Sequence, residues 1–152
     1  MRGYALCLAC WVLLGCRTVP DIPQVDLSQP GWRVLQGQAI WKPNRAAPEL
    51  SGELIWASHR DSRFLLQFLK TPITLVEAQG TDERWKVSFP PQGRTLGGQA
   101  SSRAYDRLSW LYLARALREK KSAGDWAFLW KGDRFVLGNA RTGEMIEGYL
   151  RP

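Results

Sequence analysis

Cysteine is scarce in this sequence beyond its first residues, and that scarcity excludes several kinds of chemistry. The 152 residues contain three cysteines, the last of which is Cys16. The rest of the chain can therefore hold no disulfide and no cysteine-based metal site. The stability of this part has to come from a hydrophobic core. Large apolar side chains for such a core are present, because seven of the eight tryptophans and all five phenylalanines follow Cys16. The length is that of one domain of ordinary size.

Side chains suited to catalysis are also few. The only histidine, His59, lies beside Asp61 in the turn "SHRDS". Such a pair could serve acid–base chemistry, but polar residues are common in turns for conformational reasons alone. Other carboxylates are dispersed and lack the spacing of metal ligands; examples are Glu77, Glu119 and Glu147. We therefore expect a protein that is not an enzyme and that holds no metal and no cofactor.

Concentrated runs of one charge are absent as well. Lysine and arginine number 21 against 14 acidic residues, which gives a formal net charge of +7, yet the basic residues are scattered. Nucleic-acid binding is not expected, because the sequence has no basic run and no nucleic-acid motif. Two interpretations of the excess charge remain, an ordinary solvated surface or a weak attraction to anionic lipid headgroups.

The apolar stretch over residues 4–14 is too short to span a bilayer. It follows a single positive charge at Arg2 and is followed by Gly15 and Cys16. A spanning helix requires about 20 apolar residues, whereas a positive tip, a short apolar run and a small residue are typical of a secretory signal. We therefore expect residues 1–15 to be a signal peptide.

The end of that stretch, Leu13-Leu14-Gly15-Cys16, resembles the lipobox of bacterial lipoproteins. In that motif the signal is removed before the cysteine, whose sulfur and new amino group carry acyl chains such as palmitate. The resemblance implies firm anchoring, because several acyl chains hold a protein where one holds it only marginally. The alternative is an ordinary signal peptide with an incidental cysteine. In the lipoprotein interpretation, residues 16–30 comprise the lipidated cysteine, which is the first residue of the mature protein, and a proline-rich tether to the domain.

Beyond the tether, residues 31–152 alternate apolar and polar side chains in short runs. In "RWKVSF", Trp85, Val87 and Phe89 share one face, and Lys86 and Ser88 share the other. Runs of this kind, separated by turn signals, predict an antiparallel meander of about eight strands. Some runs, such as "RFLLQFLK", are apolar on both faces, so they are either covered twice or line an apolar cavity.

The segment "RLSWLYLARALREKK" breaks the alternation and predicts one amphipathic helix, from Arg107 to Lys120 with Asp106 as its cap. A polar, glycine-rich interruption precedes it, in which a short strand around Thr95-Leu96 is a further possibility. One helix cannot cover both faces of such a sheet. We therefore expect a mainly β (α+β) fold, in which the sheet curls into a half-open barrel with the helix on its concave side as a lid.

The layout from about Gly31 to Leu150 resembles the bacterial outer-membrane lipoprotein localisation factors LolA and LolB, as a shorter and divergent relative. The segments that carry the resemblance are "GQAIW", "LSGELIW", "RFLLQFLKTPITLVEAQG", "RWKVSFPPQGR" and the helix "LSWLYLARAL". That family has a half-open antiparallel barrel with helices as a lid, and its concave apolar face holds the acyl chains of lipoproteins. The lipobox points to LolB, which is itself a lipoprotein.

Apolar side chains on the strand and helix faces are the candidates for an acyl-chain surface, since ligand pockets are mostly apolar. The candidates are Trp56, Phe64, Leu66, Phe68, Trp85, Val87, Phe89, Trp110, Leu113 and Leu117. The alternative is that these side chains pack on one another as a sealed core.

Two functions remain open on the sequence. The first is a lipid-anchored receptor in the cell envelope, at the outer membrane facing the periplasm, that binds acyl chains and acts in lipoprotein or lipid localisation. Its expected partners are the membrane through Cys16, the acyl chains of lipids or lipoproteins, and a periplasmic carrier protein, and it is expected to be a monomer. The second is a structural envelope lipoprotein that holds a protein partner and has no lipid cargo.

Overall fold

The computed structural model describes residues 21–152, without the side chains of Ser102 and Asp106. The expected signal peptide, Cys16 and the first part of the tether lie outside the described residues. Within residues 21–152, no helix combines the length and the apolar character needed to cross a bilayer.

In the part of the chain that the structure describes, nine antiparallel strands form one continuous sheet in the order β6-β5-β4-β3-β2-β1-β9-β8-β7. Since β6 and β7 stand at the two edges and do not pair with each other, the sheet is curved but unclosed. The mainly β, half-open barrel expected from the sequence is confirmed. The strands are β1 (Trp32–Lys42), β2 (Leu50–His59), β3 (Phe64–Lys70), β4 (Ile73–Gly80), β5 (Arg84–Phe89), β6 (Arg94–Gln99), β7 (Trp126–Lys131), β8 (Arg134–Asn139) and β9 (Met145–Arg151).

The ninth strand is β6, which the sequence indicated only as a short pairing around Thr95-Leu96. It pairs with β5 along its whole length, from Arg94 opposite Phe89 to Gln99 opposite Arg84. Its glycines weaken the strand signal, but Gly98 lies opposite Trp85 and leaves room for the indole. The Trp85 indole N–H donates to the Gln99 carbonyl oxygen at 2.9 Å and holds this edge in place.

Two short helices replace the single helix expected from Arg107. They are α1 (Ser102–Arg107) and α2 (Ser109–Glu119). Leu108, with φ −117° and ψ 107°, is extended and separates them. The expected cap at Asp106 is therefore wrong, because that residue lies inside α1 and Leu108 precedes the first turn of α2. Lys120 ends α2 in the left-handed conformation, with φ 57° and ψ 38°.

The hydrophobic core lies between the concave face of the sheet and α2. The connected cluster of this core lies between Leu35 and Leu150, and Ile22, in the expected tether, is buried as well. On the opposite, convex face, Ala57 and Leu65 are neighbours on β2 and β3 and are also buried. The strand β3 thus has buried apolar residues on both faces, with Leu66 and Phe68 on the concave face and Leu65 on the convex face.

Close contact between β1 and β9 allows the sheet to bend around the helix. A side chain at Gly37 would collide with the Tyr149 carbonyl group, and one at Gly148 would collide with the backbone of Gln38 and Ala39. These two glycines face the concave side, where their lack of a side chain lets adjacent strands fold inward. The curvature places the two halves of the sheet on either side of α2.

Candidate functional site

The candidate side chains named from the sequence come together on one concave apolar surface. Trp56, Phe64, Leu66, Phe68, Trp85, Val87, Trp110, Leu113 and Leu117 are buried members of the core, and Phe89 is half-buried against it. The strand residues are every second residue along their strands and point to the concave side of the sheet. The helix residues lie on the face of α2 that packs against that side. The predicted helix face and the predicted strand faces therefore meet.

Aromatic contacts join α2 to two distant parts of the sheet. The Trp110 ring stacks on Phe68 of β3, with ring centroids 5.2 Å apart, and meets Trp41 of β1 edge-on at the same distance. Further along α2, Tyr112 stacks on Trp126 of β7 at 5.6 Å. The sequence reasoning missed the residues Trp41, Tyr112 and Trp126. The signal for Trp41 was available, since it shares its strand face with Leu35 and Ala39.

α2 fills the concavity instead of resting on its rim. Residues 109–114, 116 and 117 are buried, and only Arg115, Arg118 and Glu119 reach solvent. The helix is buried nearly all round because the sheet surrounds one side and α1 covers another, where the Arg115 guanidinium lies over the Tyr105 ring at 5.6 Å. The acyl-chain candidates therefore pack on one another in this conformation.

Two polar groups inside this packed surface have no hydrogen-bond acceptor among the described residues. They are the indole N–H groups of Trp56 and Trp110. A buried donor without an acceptor costs about 1–3 kcal/mol. The concave surface is therefore not purely apolar, and it presents two donors to whatever lies against it.

Glu144 holds the amino-terminal end of α2. Its carboxylate accepts a hydrogen bond from the Trp41 indole N–H at 3.0 Å, and the Ser109 side chain, at the first position of α2, is a second partner. A carboxylate in this place also suits the positive end of the helix dipole. Burial nevertheless raises the pKa of Glu144 above its ordinary value, against the opposing effect of the two hydrogen bonds.

The carboxyl-terminal end of α2 is held by weaker contacts. Arg118 Nη1 donates to the Ser62 carbonyl oxygen at 3.4 Å, and Lys120 Nζ lies 3.0 Å from the centroid of the Trp130 ring. Burial, together with the positive charge of Arg33, lowers the pKa of Lys120 to about 8. Both ends of α2 are thus fixed to the sheet by a few polar contacts.

A groove of about 630 Å³ lies on the convex face, away from α2. Its lining includes Ile40, Glu53, Val136, Glu147 and Tyr149, which alternate with concave-face residues along their strands. Exposed apolar surface continues from it. Leu129 is 64% exposed, and it is the cross-strand neighbour of Val136, which is 37% exposed.

The His59 turn forms a polar network. His59 Nδ1 lies 2.7 Å from Asp61 Oδ1, and Arg63 Nε donates to both oxygens of that carboxylate at 3.0 and 2.9 Å. The hydrogen bond from Arg63 is the largest cause that holds the pKa of Asp61 well below its ordinary value. Within residues 21–152, no three side chains of the histidine, cysteine, aspartate or glutamate type are grouped so as to hold a metal ion.

Comparisons with known proteins add no assignment. Neither the models of protein families nor the curated proteins match this sequence.

Proposed function

We propose that this chain is a LolB-like bacterial lipoprotein that is anchored by an acylated Cys16 and binds acyl chains between its curved sheet and α2. Its place at the outer membrane, facing the periplasm, and its role in lipoprotein or lipid localisation belong to the same proposal. The observation that carries it is the concave apolar surface of the unclosed sheet. This surface is covered by α2, which is not part of the sheet.

In this proposal the conformation described above is the closed form, and α2 is the lid. The helix is a separate element between the extended Leu108 and the left-handed Lys120, so rotation at these two residues can move it without breaking strand pairing. Its fixed points are the few polar contacts of Glu144, Arg118 and Lys120. An acyl chain would replace the helix side chains against the sheet.

The energies make such an exchange feasible. Separating α2 from the sheet uncovers five large buried side chains, Trp110, Leu111, Tyr112, Leu113 and Leu117, at a cost of about 1.5–3 kcal/mol for each. Burying an acyl chain returns about 0.8 kcal/mol per methylene, so a chain of ordinary length compensates for the opening. The same chain gains as much in a membrane, and the protein would therefore act as a transient receptor instead of a permanent store.

The two unpaired indole donors support an acylated ligand over a plain hydrocarbon. Acyl chains are joined through ester or amide carbonyl groups, which are hydrogen-bond acceptors. Such a carbonyl placed beside Trp56 or Trp110 would supply the acceptor that the indole N–H lacks in the closed form. This match favours the acyl-chain proposal on chemical grounds.

The test is binding by a form that begins at Arg17, since this form keeps the core cluster between Leu35 and Leu150 and the buried Ile22. Displacement of a fluorescent fatty acid measures affinity, and a brominated fatty acid locates the chain by quenching nearby tryptophans. We expect saturable binding and quenching that decreases in Trp110→Phe and Trp56→Phe. The control is Trp32→Phe, which changes a tryptophan outside the core.

Two results would contradict the proposal. One is a folded sample that binds no fatty acid, phospholipid or acylated lipopeptide. The other is quenching that changes equally in all three tryptophan variants, since that would place the chain outside the concavity.

The convex groove favours a second candidate function, the holding of a protein partner without lipid cargo. Exposed apolar surface at Leu129 and Val136 beside a groove is typical of interaction sites. A photo-crosslinking residue at Leu129, the neighbour of the groove residue Val136, tests it against the same residue at Ile73, which is 56% exposed but lies on β4, several strands from Val136. A purified periplasmic carrier protein that crosslinks at position 129 but not at 73 would favour this candidate.

A further inference from the structure

The end of the sheet at which β1 begins is here named the tether end, because the chain enters the sheet there from residues 21–31. The strands β2 and β7 finish at this end, and β8 begins at it. The carboxyl terminus of α2 also lies there, because Arg118 contacts the Ser62 carbonyl oxygen. The tether end is therefore the part of the domain closest in sequence to the expected anchor at Cys16.

A hollow of about 350 Å³ opens at the tether end, between the start of β1 and the end of β2. Its lining is Gly31, Trp32, Arg33, Ser58, His59 and Arg60. Gly31 has φ +104°, and a side chain there would press into the His59 ring, so the glycine keeps the hollow open. His59 Nε2 lies 3.2 Å from the Pro30 carbonyl oxygen and fixes the edge of the hollow.

Positive charge in this hollow is not neutralised by the protein. Arg33 and Arg60 are exposed, and neither has an ion pair or a hydrogen bond among residues 21–152. Asp61, which follows Arg60 in the chain, is already bound by His59 and by two hydrogen bonds from Arg63. Two of the six residues that line the hollow are therefore arginines without a side-chain partner among the described side chains.

Two other acids of this end are already paired. Glu119 pairs with Arg115, and Asp133 pairs with Arg151. Asp82 lies in the turn between β4 and β5, several strands away along the sheet. One further cation is near Arg33, because Lys120 is close enough for the two charges to interact.

We propose that the hollow between Arg33 and Arg60 binds the phosphate of an anionic phospholipid headgroup, so that the tether end faces the membrane surface. Guanidinium groups bind phosphate oxygens in pairs of parallel hydrogen bonds. Trp32 lines the same hollow. Tryptophan is also enriched where apolar and polar phases meet in membranes.

A lipid surface is the source of phosphate that the structure favours over a free anion. From Cys16 to Pro30 the chain reaches at most about 50 Å, and Ile22 within this segment is buried, so an acylated Cys16 would keep the hollow near headgroups. Surface cations gain about 1 kcal/mol each beside an anionic leaflet. This inference rests on the membrane location proposed above, but it does not depend on acyl chains entering the concavity.

The experiment uses the full chain in neutral maltoside micelles, which hold it with or without acylation. Amide hydrogen exchange is followed over residues 31–33 and 58–63 in plain micelles, in micelles doped with phosphatidylglycerol or phosphatidylcholine, and in plain micelles with inorganic phosphate. The test variant is Arg33→Gln with Arg60→Gln. The control is Arg94→Gln with Arg107→Gln, which removes the same charge from exposed residues elsewhere.

We expect phosphatidylglycerol to slow exchange in these two segments several-fold, and we expect the test variant to abolish this protection while the control keeps it. Equal loss in both variants would overturn the proposal, because it would show attraction to net charge alone. Protection by inorganic phosphate equal to that by phosphatidylglycerol would overturn the lipid surface as the ligand. Fatty-acid displacement by the same variants separates the two proposals, since headgroup variants should leave acyl binding unchanged.

Discussion

The rings of Phe68 on β3 and Trp110 on α2 stack with their centroids 5.2 Å apart and their planes 27° from parallel. Both side chains are at least 98% buried. A stacked aromatic pair contributes about 0.5–1.5 kcal/mol beyond the area that it buries. This contact sets the rotation of α2 about its axis, because Trp110 can meet Phe68 only when Leu113 and Leu117 also face inward.

The first prediction concerns that orientation of α2. Leu113→Asp places an unpaired carboxylate in the core and should lower the free energy of unfolding by more than about 3 kcal/mol. Arg115 lies two residues further along α2 and is partly exposed, and its ion pair with Glu119 is on the surface. Arg115→Asp should therefore change the free energy of unfolding by about 1 kcal/mol or less. Urea unfolding of both variants measures the difference. Equal losses would mean that α2 is turned differently.

The second prediction concerns the pH dependence of the Glu144 contact. The folded chain holds the Glu144 proton to a higher pH than the unfolded chain, because burial raises its pKa. The folded state therefore loses stability as the pH rises from the ordinary pKa of 4.5 through the raised value. Glu144→Gln keeps an acceptor for the Trp41 indole N–H and removes the ionisation.

Urea unfolding between pH 4 and pH 7 checks this prediction. The stability of the native sequence relative to Glu144→Gln should fall across that range. Glu83→Gln, a change at an exposed turn residue, is the control and should leave the pH dependence as it is. Parallel curves for the native sequence and Glu144→Gln would show that the Glu144 carboxyl group is not shifted.

The third prediction concerns Lys120 and Arg33. Burial and the charge of Arg33 lower the pKa of Lys120 to about 8, so Arg33→Gln should raise it toward 10.5. Because the folded chain releases this proton before the unfolded chain, stability should rise with pH above about 8, and less so in the variant. An NMR titration of the Lys120 side chain measures the pKa. Arg94→Gln serves as the control, and an identical shift in both variants would exclude a specific effect of Arg33.

The fourth prediction concerns Cys16, which lies outside the described residues. Cys16→Ser should prevent acylation and leave the chain unprocessed or free of the membrane, because the sulfur that carries the lipid is missing. Labelling with palmitate and the mass of the mature amino terminus measure the outcome. Membrane association and cleavage before residue 16 that persist in the variant would refute the lipobox interpretation.

Much of the fold follows from side-chain periodicity along the chain. The alternation of Trp85, Val87 and Phe89 placed them on one strand face, and the spacing of Trp110, Leu113 and Leu117 placed them on one helix face. These patterns are local, since each depends only on the geometry of a strand or a helix. The strand β6 was less evident because Gly97 and Gly98 contribute no side chain to the pattern.

Burial on the second side of α2 was decided by tertiary structure. Leu111 and Tyr112 lie off the predicted apolar face, yet they are buried because the sheet curves round the helix and α1 closes the remaining side. The split into two helices has the same origin. Leu108 is extended where the chain turns from α1 into the concavity, and no residue type in the sequence marks that turn.

The sequence by itself determined the supply of apolar side chains and their division between strands and one principal helix, because those properties depend on neighbours a few residues apart. Only the tertiary structure decided which residues that are distant in the chain come into contact. Arg33 and Arg60 are 27 residues apart in the chain, and they line one hollow because β1 and β2 pair with Trp32 opposite His59. That register depends on long-range packing of the whole sheet, which no local pattern encodes.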